Sequence, residues 1–333
     1  MKKLLTLVIS IILTLTVFGQ TKTAKDYGYT HLIYKFKNDK VDILVKSKKG
    51  EENIQKPLFF FCQGSLPKPL IKVDEHSVYG VFPFNPDSLT SKYHIVIISK
   101  PYIPLIRETK LLGNNFTYID STGKYPKDYS NRNFLDYYVD RNLHIIKYLQ
   151  KQNWVSNKQL IVSGHSEGST IASKMAIKSS LITHLIYSSG NPMGRIMSVI
   201  QQNRTIETDT DSTKYAEEEI KYWQYVVENK TEMDDSNGDT PKATFEFSNP
   251  PIKYLEKLKI PVLVCYGTKD YCAPFNDFMR IDFIRKHKKN FTFKAYIGTE
   301  HNFFPLKADN KPNYDIFNWD KVANDWMKWL SEK

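Results

Sequence analysis

The chain has 333 residues, with 47 Lys and Arg against 36 Asp and Glu and a formal charge of +11. With 41% hydrophobic residues and only 14 glycines, it is neither a collagen-like fibre nor a disordered polyelectrolyte, and it is no multi-span membrane protein. Its basic residues are spread along the chain without a basic helix or a nucleic-acid motif, so no nucleic-acid partner is expected.

Met1-Lys2-Lys3 precedes an apolar run, Leu4 to Phe18, interrupted by Thr6, Ser10, Thr14 and Thr16. Two lysines, a short apolar segment and uncharged residues near Gly19 predict a signal peptide over 1–19, cleaved on export to the periplasm or the medium. A retained anchor is the alternative. A spanning helix needs about 20 apolar residues, so no stable membrane insertion is expected after cleavage. The first cysteine is Cys62, which excludes a lipidated cysteine at the mature N-terminus. Three cysteines make no disulfide framework. Cys62 and Cys265 sit in apolar runs that suit buried thiols, whereas Cys272 is expected near a loop surface.

Tyr29–Lys37 and Val41–Lys46 alternate apolar and polar residues around Asn38-Asp39-Lys40 and predict a hairpin. Continuous apolar runs follow at Pro57–Cys62, His94–Ser99, Gln159–Ser163, Leu181–Ser188, Pro261–Tyr266 and Phe291–Ile297. Such runs suit strands covered on both faces, the condition of a parallel sheet. Helical spacing lies between them at 134–149 and 169–179, around Phe278, Ile281, Phe283 and Ile284, and at 322–330 with Trp326 and Trp329 on a packing face. The predicted class is α/β, a mostly parallel sheet led by an antiparallel hairpin, with helices on both faces over 20–333.

Residues 191–259 break this alternation and are expected to form a helical cap over the C-terminal edge of the sheet. Within them, Asp235, Asn237, Asp239 and Glu246 fall on positions 1, 3, 5 and 12 of a calcium loop. Thr240 stands where that loop needs glycine, with Pro241 next, so the segment reads as a solvated loop and not a metal site.

The strongest chemical signal is Gly164-His165-Ser166-Glu167-Gly168, lying between a predicted strand and a predicted helix. A sharp strand-to-helix turn projects the serine hydroxyl from the sheet edge, and glycines on either side avoid collisions with the neighbouring strand and helix. The helix start offers the Glu167 N–H to developing negative charge. A serine needs a base. Of eight histidines, His31, His94, His144, His184 and His287 fall in or beside packing elements, His76 lies far upstream, and the His165 ring would point away from Ser166. His301 follows the last strand and can drop onto the serine. The base needs a carboxylate to fix its tautomer, and Asp270 follows the Pro261–Tyr266 strand directly, unlike Asp277, Asp282, Glu300 and Asp309. The second oxyanion donor is expected from Gln63-Gly64-Ser65-Leu66, with the Ser65 N–H preferred to that of Leu66. The loop Lys100-Pro-Tyr-Ile-Pro104 is expected to form a pocket wall, with Tyr102, Gln63 and Gly64 near the substrate.

With these residues in place, the chain resembles the α/β-hydrolase superfamily, through 164–168, Tyr266–Asp270, Glu300-His301 and the Gln63-Gly64 turn. Within it, the sequence is similar to dienelactone-hydrolase-like and prolyl-oligopeptidase-like exported esterases and peptidases. It departs from their common His-Gly pair at Gln63-Gly64. The resemblance implies acyl transfer through an acyl-serine, with Ser166, Asp270 and His301 as triad and no metal or organic cofactor. Carboxylic esters are the first expectation, with a small-molecule ester or a short peptide as partner. A peptidase or aminopeptidase, in which Glu167 binds an ammonium group, or an acyltransferase would use the same residues. A non-catalytic binding protein would not need all three.

Overall fold

The computed structural model describes residues 22–236 and 238–333. The predicted signal peptide and Asn237 lie outside the described residues. Among those described, no helix is long and apolar enough to cross a membrane.

Eight strands form the central sheet: β1 (Thr30–Phe36), β2 (Asp39–Lys46), β3 (Lys56–Cys62), β4 (His94–Ile98), β5 (Val155–His165), β6 (His184–Ser188), β7 (Val262–Gly267) and β8 (Phe291–Tyr296). Their spatial order is β1-β2-β4-β3-β5-β6-β7-β8. The pairs β1–β2 and β2–β4 are antiparallel, and all the others are parallel. The hairpin and the six apolar runs thus become the eight strands. A small second sheet, formed by Ile71–Val73, Val78–Tyr79 and Ile106–Glu108, had no counterpart in the sequence reading.

The continuous apolar character of β3 has a direct packing cause. Leu58, Phe60 and Cys62 face one core and Phe59 and Phe61 the other, and all five are buried. Side chains alternate across a strand, so both faces must be apolar when helices cover both. Each buried Phe contributes about 1.5–3 kcal/mol of transfer free energy. The first core packs against α1 (Leu135–Leu149), α2 (Glu167–Lys178) and α6 (Ala273–Arg285), and the second against α7 (Trp319–Ser331) with Trp319 and Trp326. Between them in sequence, α3 (Arg195–Ile206), α4 (Tyr215–Glu228) and α5 (Pro241–Phe247) fill the span between β6 and β7 and pack on one another.

The helix expected around 278–284 is α6, and one local expectation, on Cys272, needs correction. In α6 the buried apolar residues are Ala273, Met279 and Phe283, while Phe278, Ile281 and Ile284 are exposed. The inward pair Met279 and Phe283 is spaced i, i+4, and the three exposed residues lie on the outer side of the helix. Cys272 is not near the surface. It is 2% exposed because it caps α6 directly after the Asp270 turn, with its Sγ 3.5 Å from Ser198 Oγ. All three thiols are free and buried.

Parallel register places the functional loops at one edge. Cys62 pairs with Gly164, His165 with Ser188, Ser188 with Cys265, and Gly267 with Tyr296. The C-terminal ends of β3, β5, β6, β7 and β8 therefore finish together, and the turns that follow carry Ser65, Ser166, Ser189, Asp270 and His301.

Candidate active site

Ser166 joins β5 to α2 with φ 57° and ψ −125°. A serine at positive φ carries steric strain of order 1–3 kcal/mol, which the surrounding packing must hold. Ser166 N–H donates to Ser188 O (2.9 Å), and Ser166 O accepts from Ser169 N–H (3.0 Å) and Oγ (2.6 Å). The flanking glycines are sterically required. A Cβ on Gly168 would collide with the carbonyls of Cys62 and Gln63, and one on Gly164 with the backbone of Gly168.

His301 Nδ1–H donates to Asp270 Oδ2 at 2.9 Å, and Ser166 Oγ–H donates to His301 Nε2 at 2.9 Å. The second Asp270 oxygen accepts the Cys272 N–H at 2.9 Å, so the buried carboxylate is held at both ends. Two links join the acid turn to the histidine loop: Lys269 N–H to Thr299 O (2.9 Å) and Gly298 N–H to Thr268 Oγ1 (2.9 Å). Tyr271 stacks on the His301 ring, with centroids 5.1 Å apart and planes 18° apart. Burial pulls the His301 imidazolium down, but the Asp270 carboxylate, its hydrogen bond and Glu300 outweigh burial and hold the pKa above the ordinary 6.5.

The rival carboxylates are engaged elsewhere. Asp277 accepts from Tyr266 Oη, Asp282 pairs with Lys286, Glu300 accepts the N–H groups of Asn302 and Phe304, and Asp309 lies beside Lys311. His165 turns from Ser166 towards Ser188 Oγ (3.1 Å) and Asn302 Oδ1 (3.3 Å). Burial, with His301 next to it, pushes its pKa well below the usual value.

A cavity of about 240 Å³ opens beside Ser166, with Ser65, Ser166, Glu167 and His301 in its lining. Gly64 lies close to Ser166, its Cβ direction 3.9 Å from Ser166 Cβ. Tyr129 Oη donates to Ser65 O at 3.2 Å, which fixes that loop. Gln63 does not face this cavity, because its Nε2 donates to Ile98 O at 2.7 Å. Tyr102 is also absent from the wall. Its hydroxyl donates to Asp39 Oδ1 (2.7 Å), and Arg132 sits 5.0 Å over its ring. Asp39 is buried and draws Tyr102, Tyr137 and Arg132 to itself.

The expected wall from 100–104 is replaced by a single reach. Lys100, 2% exposed, extends its Nζ to Glu167 Oε1 at 3.2 Å. Burial, with Arg141 and Arg195 nearby, pushes the Lys100 ammonium down to about 7. Arg195, on the first turn of α3, bonds the other Glu167 oxygen and also Asp239 Oδ2, while Asn133 Nδ2 donates to Asp239 Oδ1 at 2.8 Å. The acidic loop is therefore not simply solvated: Asp239 bridges into the cavity wall, Asp235 pairs with Lys127, and Glu246 accepts the Asp136 N–H. Arg195, and the pairing of Lys100 and Asp239, went unread in the sequence because the partners lie 28 to 106 residues apart.

Removing one member of a buried ion pair strands the other. Glu167→Ala is expected to cost about 3–5 kcal/mol at pH 7 in urea unfolding. A loss below about 1 kcal/mol, the range of exposed pairs, would mean that the cluster is not the buried anchor described here.

No family model and no curated protein matches the chain. Solved structures do resemble it. Est1E from Butyrivibrio proteoclasticus, with ferulic acid bound, is matched with a TM-score of 0.55 at 14% identity, over 91% of this chain and 100% of that one. The uncomplexed acylaminoacyl peptidase of Pyrococcus horikoshii is matched with a TM-score of 0.54 at 15% identity, over 91% of this chain and 41% of that one. A fungal esterase from Rhizomucor miehei gives 0.50 at 12% identity, over 91% of this chain and 82% of that one. The chain thus spans about two fifths of the peptidase it matches. Strand order, the strained serine turn and these likenesses together make this chain an example of the α/β-hydrolase fold.

Proposed function

We propose that the protein is a serine hydrolase that cleaves carboxylic esters through an acyl-enzyme intermediate. One observation carries this reading: Ser166, His301 and Asp270 form a continuous chain of 2.9 Å hydrogen bonds at a strained turn that opens onto a cavity. In the first step, His301 Nε2 takes the Ser166 proton as Oγ attacks the acyl carbon. Asp270 holds the Nδ1–H tautomer and stabilises the imidazolium. The Glu167 and Ser65 N–H groups are assigned to the oxyanion. His301 then returns its proton to the leaving alkoxide, and in the second step it activates the water that releases the acid.

Esters are favoured over aminoacyl substrates by a specific contact. Both Glu167 oxygens already accept from Lys100 and Arg195, so neither is free for a substrate ammonium group. The full-length match to Est1E supports the same choice. p-Nitrophenyl esters of graded chain length, set against aminoacyl p-nitroanilides, test it. Ester turnover, abolished in Ser166→Ala, is expected; turnover confined to anilides would replace the esterase with a peptidase. Export is proposed from the sequence of residues 1–19. N-terminal sequencing of the mature protein should begin at Gln20, and an intact Met1 would refute cleavage.

A further inference from the structure

The cavity beside Ser166 is lined by polar and apolar groups in about equal measure, and among its charged wall groups the unused hydrogen-bonding capacity lies with Arg195. Both of its wall carboxylates are engaged. Glu167 accepts from Lys100 and Arg195, and Asp239 accepts from Asn133 and Arg195. A guanidinium has five N–H donors. Two of Arg195's are named in these contacts, which leaves Nε–H and one hydrogen on each terminal nitrogen. The group is also held in place, since its central carbon lies 4.4 Å over the Phe247 ring and its side chain is 19% exposed.

A second, independent observation lies on the same cavity. Ser189 follows β6 with φ 44°, is 1% exposed, and its buried Oγ has no hydrogen-bond partner among the described residues. An unpaired buried hydroxyl costs about 1–3 kcal/mol, and a bound acceptor would remove that cost. A cation entering the cavity would meet carboxylates that already have donors, and it would meet Arg195. An anion would meet the remaining Arg195 N–H groups and an unpaired hydroxyl, beside two carboxylates that Lys100, Asn133 and Arg195 already satisfy. Arg is suited to planar two-oxygen acceptors.

We infer that this cavity selects a carboxylate-bearing ester, whose acid group binds Arg195 and the Ser189 hydroxyl a few bonds from the scissile carbonyl. The inference rests on the ester-hydrolase reading above and adds the substrate class. The carboxylate can belong to the acyl half or to the alcohol half of the ester.

Three probes decide: phenyl hydrogen glutarate (acid on the acyl side), 4-carboxyphenyl butyrate (acid on the alcohol side) and phenyl butyrate (neutral). After correction for uncatalysed hydrolysis, one acidic ester is expected to exceed phenyl butyrate at least tenfold in kcat/KM, mostly through KM, and its identity assigns the side. Arg195→Gln should reduce that ratio at least tenfold, Ser189→Ala about threefold, and Arg195→Lys should keep part of it. The ratio within each variant is read, so a general loss of folded enzyme does not imitate the result. Acidic esters turned over no better than phenyl butyrate, or a preference that survives in Arg195→Gln, would overturn the inference. Turnover of none of the three also overturns it. If a fluorophosphonate then still labels Ser166, the hydrolase reading survives alone; if it does not, both fall.

Discussion

Replacing His301 with alanine is expected to lower kcat by about 10⁶-fold, the scale seen when a triad base is removed, while the protein stays folded. His301 Nε2 is the acceptor of the Ser166 hydroxyl, so the variant keeps a nucleophile that cannot lose its proton as it attacks. His165 cannot take over. Its ring lies 5.2 Å from that of His301, between centroids, but both of its nitrogens face Ser188 and Asn302. Its depressed pKa also makes it a poor proton acceptor. Circular dichroism and urea unfolding should match the wild type, because the His301 side chain lines the cavity and is not part of either core. Activity within tenfold of wild type would place the base elsewhere.

Asp270→Asn is expected to lower kcat about 10⁴-fold and to move the pH profile in a defined direction. Burial alone would lower the His301 pKa, and the Asp270 carboxylate and its hydrogen bond reverse that effect. A general base must be neutral, so wild-type kcat/KM should rise with pH through an inflection above 6.5. Without the carboxylate, burial dominates, and the inflection should fall below 6.5. The two readouts separate roles. A large rate loss with an unmoved inflection would mean that Asp270 orients the ring without setting its charge. Near-normal rates would shift attention to Glu300, the other carboxylate that raises the His301 pKa.

The parts of the site legible in the sequence share one property: each lies in the turn that follows a strand. Ser166 is the first residue after β5, Asp270 lies three residues after β7, and His301 five after β8. A parallel sheet brings such positions to one edge whatever their separation along the chain. The pocket beside them has no such rule. Lys100, Glu167, Arg195 and Asp239 meet because α3 and the turn before α5 reach the start of α2, and no local pattern marks an Arg on α3 as the partner of a Glu on α2. The apolar residues of α6 show what spacing leaves open in packing. Spacing reveals that a helix is amphipathic, but Phe278, Ile281 and Ile284 face out because Met279 and Phe283 fill the inward side. Tyr102 was misplaced for an electrostatic reason. A buried Asp39 needs donors, and it recruits the hydroxyl that the sequence suggested for substrate.

The most direct test of the account is the site of covalent attack. Wild-type protein treated with a fluorophosphonate should gain one adduct, located on Ser166 by peptide mass spectrometry, and His301→Ala should form it far more slowly. An adduct on another residue, or none on folded wild-type protein, would contradict the claim that His301 and Asp270 make Ser166 a nucleophile.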